Sequence, residues 1–316
     1  MTDDVSTPPI GIVGLKRAAT RHQQQLTASP VATLPGGSPT ATSSDSCLVA
    51  VADDPTLWSD GEERGLTRLS PTSRLAALER LIDGDKSLAI LCGHRQVAGI
   101  KRDIALARSM LGARITIVPL PLGPLGQFAM ARIAQQALRS LDRPPALIIS
   151  HLPELANSLV DIGLVGAVSS LDIPGIRLRH QLASYLPGSR IFAAQLTPVP
   201  TVRRIRANSP QPDSEFPAPN FGPLGRRLLH AGARAIPAGL EELWRVSGLV
   251  TQVTSKLPLA DYWHDDQAGE LVLLPDNPEQ WVEDRVSPVV SEPCRWCGEP
   301  KPADVTDCVF CGHTPR

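Results

Sequence analysis

Strand-like and helix-like stretches alternate through the middle of this chain. That alternation predicts an α/β fold: a Rossmann-like three-layer domain with a mainly parallel sheet, then a small α+β region and a cysteine-bearing C-terminal module. Short continuous apolar runs such as LAILC and RITIV read as strands buried on both faces, and the segments between them repeat apolar residues at helical spacing. Hydrophobic residues make up 42% of the 316-residue chain but aromatics only 4%, so the core must be built from Leu, Ile, Val and Ala. A chain of this length holds about two domains plus tails.

Taken in order, CLVAVA from Cys47 predicts the first strand. Ser70 and Pro71 supply an N-cap and a proline for the first helical position, and Leu75, Leu78 and Leu81/Ile82 then share one face. LAILC (88–92) predicts a strand, followed by a helix with Val97, Ile100, Ile104, Ala107 and Met110/Leu111 in one stripe and Lys101, Arg102 and Arg108 opposite. RITIV (114–118) is the next strand; Phe128, Ala131, Leu138 and Leu141 line the helix after it. PALIIS (145–150) predicts a further strand, 153–162 a short helix, and LVGAV (164–168) another strand. A helix over 178–186 and the strand RIFAAQL (190–196) complete the series, for which right-handed crossovers give the Rossmann-like topology.

Composition sets the boundaries. Residues 1–46 are rich in Ser, Thr, Pro and Gly and predict a disordered tail. The Rossmann-like domain spans 47–206, a Pro-rich linker 207–222, a small acidic α+β region 223–293 and the terminal module 294–316. Within the acidic region, helices are expected over 224–236 and 240–249 and a strand over 270–274. The net charge of −1 conceals an asymmetry: 95–206 carries 14 basic and 5 acidic residues, 261–292 carries 9 acidic and 1 basic. Either the two segments satisfy each other within the fold or they present a charged surface to a partner. No apolar run reaches the ~18 residues that span a bilayer. The N-terminus, with Asp3 and Asp4, has no apolar signal region, so no membrane contact and a cytoplasmic location are expected.

The densest chemistry lies at the end. Cys294 and Cys297 form one C-x-x-C pair, Cys308 and Cys311 a second, and each is followed by glycine, Gly298 or Gly312. Two thiolates so spaced can ligate one ion, and two such pairs complete a tetrahedron. Disulfides are the alternative for these cysteines, disfavoured in a reducing compartment; iron competes with zinc for the same cage. The stretch CRWCGEPKPADVTDCVFCG resembles a zinc-ribbon module of the kind appended to many bacterial proteins. The resemblance covers only about residues 290–316 and implies one structural Zn2+ in a closed four-thiolate site and a protein or nucleic-acid contact module, with no activity of its own.

Elsewhere the chemistry is sparse. In open parallel sheets ligands sit beyond the carboxyl ends of strands, which would gather Cys92, His94, Ser150 and His151 as candidates for a nucleophilic site. None stands in a nucleophile-elbow context, and no G-x-G-x-x-G or P-loop is present. LPLGPLGQ precedes a helix but its prolines remove donors, which argues for a tight connection over an anion site. Asp261 and HDD at 264–266 read as a solvated acidic loop or a hard-cation site. The expectation is therefore a zinc-binding interaction or adaptor protein with a protein partner, no specific small molecule and no indicated catalysis. The alternatives are a nucleic-acid-associated factor using the arginine-rich domain, and an enzyme with a site at the strand ends.

Overall fold

The computed structural model describes residues 47–52, 66, 69–82, 87–173, 176, 178–185, 191–205, 221, 223–236, 250–254 and 256–312. The chain divides into units 1–40 and 41–316, and all of these residues fall in the second. The tail expected over 1–46, most of the 207–222 linker and the helix expected over 240–249 lie outside the described residues.

The first five elements follow the sequence reading: β1 (Cys47–Val51), α1 (Pro71–Leu81), β2 (Ser87–Gly93), α2 (Val97–Leu111) and β3 (Ile115–Leu120). Ser70 caps α1 as its pattern demands, its hydroxyl accepting from the Ser73 N–H at 3.2 Å. The three strands form a parallel sheet in the order β1-β2-β3. All seven residues of β2 are buried because helices cover both faces. Ala50, Leu88, Ile90 and Cys92 pack with Ala77, Leu78, Ile100, Ile104 and Ala107 of α1 and α2. Val49, Ala89, Leu91, Val118 and Leu120 turn the other way into a larger core.

That larger core is built on α3 (Pro124–Ser140) and α4 (Pro145–Ser158), which pack against the parallel sheet on one side and a second sheet on the other. Here the reading must be corrected, since PALIIS is the first half of α4 and no strand. A helix covered on all sides shows an unbroken apolar run just as a buried strand does, and only its continuation to Ser158 separates the two. Ala146, Leu147, Ile148 and Ile149 are all buried, as a helix held between two sheets requires.

β4 (Val160–Val165), α5 (Leu178–Tyr185), β5 (Ile191–Thr197) and β6 (Thr201–Ile205) do not extend the parallel sheet. With β7 (Arg226–Gly232), β8 (Thr251–Gln252) and β9 (Gly269–Pro275), the strands β4, β5 and β6 form a six-stranded sheet, in the order β6-β5-β4-β9-β7-β8. Every neighbouring pair in it is antiparallel except β7–β8. The fold is thus mixed α/β, and the parallel, helix-covered arrangement holds for its first sheet only. The link from Thr197 to Thr201 is too short for a crossover and forces β5 and β6 into a hairpin. The helix expected over 224–236 is β7, which pairs along its full length with β9. Strands from both sides of the expected linker therefore share one sheet, with β4 and β9 as central neighbours. α6 (Leu259–Trp263) and α7 (Pro278–Val286) follow, α7 packing on α3 and α4; a short hairpin of β10 (Ser291–Pro293) and β11 (Pro300–Pro302) leads into the cysteine region. Among the described residues no helix is long and apolar enough to cross a membrane.

Candidate metal centre and a buried carboxyl pair

The two C-x-x-C turns have the same build. The Gly298 N–H donates to the Cys294 carbonyl at 2.9 Å, and the Gly312 N–H donates to the Cys308 carbonyl at 2.8 Å. Both glycines take positive φ, 75° and 66°, which lets the chain reverse directly behind each pair. The hairpin brings the turns together, and the Cys294 N–H donates back to the Glu299 carbonyl at 2.9 Å. The four Sγ atoms lie within 4.8 Å of one another, with Cys294 to Cys311 at 3.7 Å and Cys297 to Cys308 at 3.6 Å. A metal–sulfur bond of about 2.3 Å in a tetrahedron requires S···S edges of about 3.8 Å, so this set fits one ion. A disulfide needs sulfurs about 2.05 Å apart, and all four cysteines are free. The Cys297 and Trp296 N–H groups point at the Cys294 sulfur; outweighing burial, they bring its thiol down to about 7. Burial raises the Cys297 thiol.

This module is not a loose appendage. Cys294, Cys308 and Phe310 belong to the main core, with Phe310 only 1% exposed. β11 packs on α4, and Arg114, just before β3, bridges Glu299 at 2.8 Å.

The strand-end candidates do not converge. The Cys92 side chain is fully buried in the core between the parallel sheet and α1/α2, while His94 is exposed in the turn after β2. Ser150 and His151 sit inside α4, on the opposite side of that sheet, and both bond their own helix: Ser150 Oγ to the Leu147 carbonyl at 3.0 Å, His151 Nδ1 to the same oxygen at 2.8 Å. Asp265, in the acidic loop, accepts from the Gly166 N–H at 2.7 Å, the Gln267 N–H at 2.9 Å and Arg234 at 2.9 Å. These bonds outweigh burial and lower its pKa.

A second polar cluster was missed by the sequence reading. Asp161 on β4 and Glu270 on β9 are fully buried and meet the first turn of α3. The Gly123 N–H donates to Asp161 Oδ2 at 2.7 Å and the Gly126 N–H to Glu270 Oε1 at 3.0 Å. Trp263 Nε1 donates to Glu270 Oε2 at 2.9 Å. A Cβ at Gly126 would collide with Asp161 Oδ2, so the close approach of helix and strand depends on that glycine. LPLGPLGQ thus does offer N–H groups to an anion, and the chain's own carboxylates take them. Burial, then the Glu270 charge, raises Asp161 well above the usual carboxylate range; burial raises Glu270 to about 7. Glu270 accepts three N–H groups, from Trp263, Gly126 and Leu125, which favour its charged form over that of Asp161. The available signal was two acidic residues inside otherwise apolar strands, VDIGLV and GELVLLP.

No protein-family model matches the chain, and no curated protein sequence matches it either. Among solved structures it is similar to a DegV-family protein from Ruminococcus gnavus described with vaccenic acid, at 11% identity and a TM-score of 0.48, covering 73% of this chain and 100% of that one. A Thermotoga maritima protein described as revealing a fatty-acid-binding function has 13% identity and a TM-score of 0.47, covering 73% and 99%. A DegV-family protein from Thermus thermophilus, described as fatty-acid binding, has 13% identity and a TM-score of 0.49, covering 72% and 99%. These descriptions correct the expectation of an interaction or adaptor protein, or a nucleic-acid factor, with no specific small molecule: the structures this chain resembles are described as binders of fatty acids.

Proposed function

We propose that Cys294, Cys297, Cys308 and Cys311 hold one structural zinc ion that fastens the C-terminal hairpin to the body of the fold. The observation that carries this is the set of four Sγ atoms within 4.8 Å, at the spacing a tetrahedral four-thiolate ion demands. Four protein ligands leave no open coordination position, so the ion's work is structural. Elemental analysis of protein purified without chelator tests the proposal. One zinc per chain is expected; absence of metal, or a red iron chromophore, would overturn it.

A second reading gives the chain a small-molecule ligand, and a specific observation favours it. Gln127 Oε1, Asp161 Oδ1 and Thr197 Oγ1 are buried and have no hydrogen-bond partner among the described residues. Asp161 and Thr197 face each other across β4 and β5, and the Gly123 N–H ties Asp161 to the segment beyond the carboxyl end of β3. Buried polar atoms of this kind are satisfied by water or by a ligand. A carboxylic acid headgroup offers both a donor and an acceptor to such atoms, and a fatty acid is the first acid to test. Mass spectrometry of an organic extract of the purified protein, with titration of a fluorescent fatty acid, decides the matter. Recovery of a fatty acid and saturable binding weakened by Thr197→Val support the reading. An empty extract with no saturable binding leaves water in that place and ends it.

A further inference from the structure

Arg108 lies on the last turn of α2, far in sequence from the cysteines, and its side chain reaches the turn behind Cys311. Its Nη1 lies 4.0 Å from where a Cβ on Gly312 would stand, directly behind Cys311. Its Nε donates to the Ile115 carbonyl, which fixes the guanidinium at the edge of the parallel sheet. Four thiolates around a divalent ion carry a net charge of −2, and Cys294 and Cys308 are almost fully buried, so water neutralises little of that charge. We propose that Arg108 is the cationic partner of the four-thiolate metal centre, so that the centre is completed by α2 as well as by the C-terminal turns.

This rests on the zinc reading above and extends it. The direction of the Arg108 electrostatics agrees: burial lowers its pKa, while the charges of Cys311 and then Cys308 raise it. Arginine suits the position because Nε stays bonded to the sheet edge while Nη1 remains free to lie beside the Gly312 turn. Groups outside the ligand set that balance or orient a metal site commonly change its affinity about 10- to 100-fold when removed. A ribbon complete in itself would keep its metal whatever occupied position 108.

The test uses the full chain carrying zinc, with Arg108→Met to remove the charge at similar length and Arg108→Lys to keep it. Zinc transfer to a colorimetric chelator is followed, with far-ultraviolet circular dichroism to monitor the fold. Arg108→Met is expected to release zinc at least about 10-fold more readily, and Arg108→Lys to restore most of the retention. Arg108→Met holding zinc as tightly as the unaltered protein would overturn the proposal. So would equal loss in both variants, because packing and not charge would then be at fault. Should Arg108→Met not fold, Arg108→Lys decides alone: retention supports the charge role and loss refutes it. An unaltered protein without zinc removes the metal reading itself, an outcome distinct from both.

Discussion

Raising the pH through the neutral range should weaken this protein, and the cause is the buried pair Asp161 and Glu270. Burial lifts Glu270 from 4.5 to about 7, and burial and the Glu270 charge lift Asp161 well above its usual range. A carboxyl whose folded pKa exceeds its unfolded value binds its proton more tightly in the folded state. Its contribution is complete below about pH 4.5 and is lost as the pH climbs through about 7. One such proton is worth about 1.4 kcal/mol per pH unit, so on the order of 3 kcal/mol is lost across that window. The assay is urea unfolding at intervals from about pH 5 to about pH 8, comparing the unaltered chain with Asp161→Asn/Glu270→Gln, which cannot titrate there. The unaltered protein should show a midpoint falling by on the order of 1 M urea with rising pH. The double variant should be less stable at pH 5 but much flatter. Parallel profiles for the two proteins would refute the reasoning, because the pair would then titrate alike folded and unfolded.

Other outcomes follow from the same geometry. Gly126→Ala drives a methyl group into Asp161 and should cost about 1–3 kcal/mol in chemical denaturation. Trp263→Phe leaves Glu270 Oε2 without its indole donor and should cost a further 1–3 kcal/mol, roughly, read as a lowered thermal midpoint. Cys297→Ser should abolish zinc retention and lower the stability of the whole body, since Cys294, Cys308 and Phe310 are part of the main core; a calorimetric trace in which only a minor early transition moves would contradict that coupling.

Much of the first sheet was legible because its signals are local. Ser70 and Pro71 start α1, the stripe from Val97 to Leu111 is α2, and β2 and β3 are the short apolar runs on either side of α2. The cysteine set was legible for a similar reason, two turns with their own ligands and glycines. What could not be read was set by distant partners. Ala146 to Ile149 are apolar because a sheet lies on each side of α4, a fact absent from their own spacing. RRLLHAG became a strand because β9, far along the chain, offered it an edge. The carboxyl pair joins residues on β4 and β9 through a helix start on α3, which no local window spans. The charge asymmetry is likewise a matter of distant partners: the acidic 261–292 stretch contains β9, which pairs with β4 of the basic 95–206 stretch, so the two segments meet within one sheet.

The position of β9 bears on how the chain is made. β4 ends at Val165, yet its central neighbour begins only at Gly269, so one long edge of β4 has no partner until the Gly269–Pro275 stretch has left the ribosome. Until then the apolar face of α3, finished early, lies open on the side that β9 will cover. Pairing across so long a loop is slow, and the waiting intermediate is prone to aggregate. A nascent chain halted before Gly269 should therefore lean on chaperones far more than one halted after Pro275.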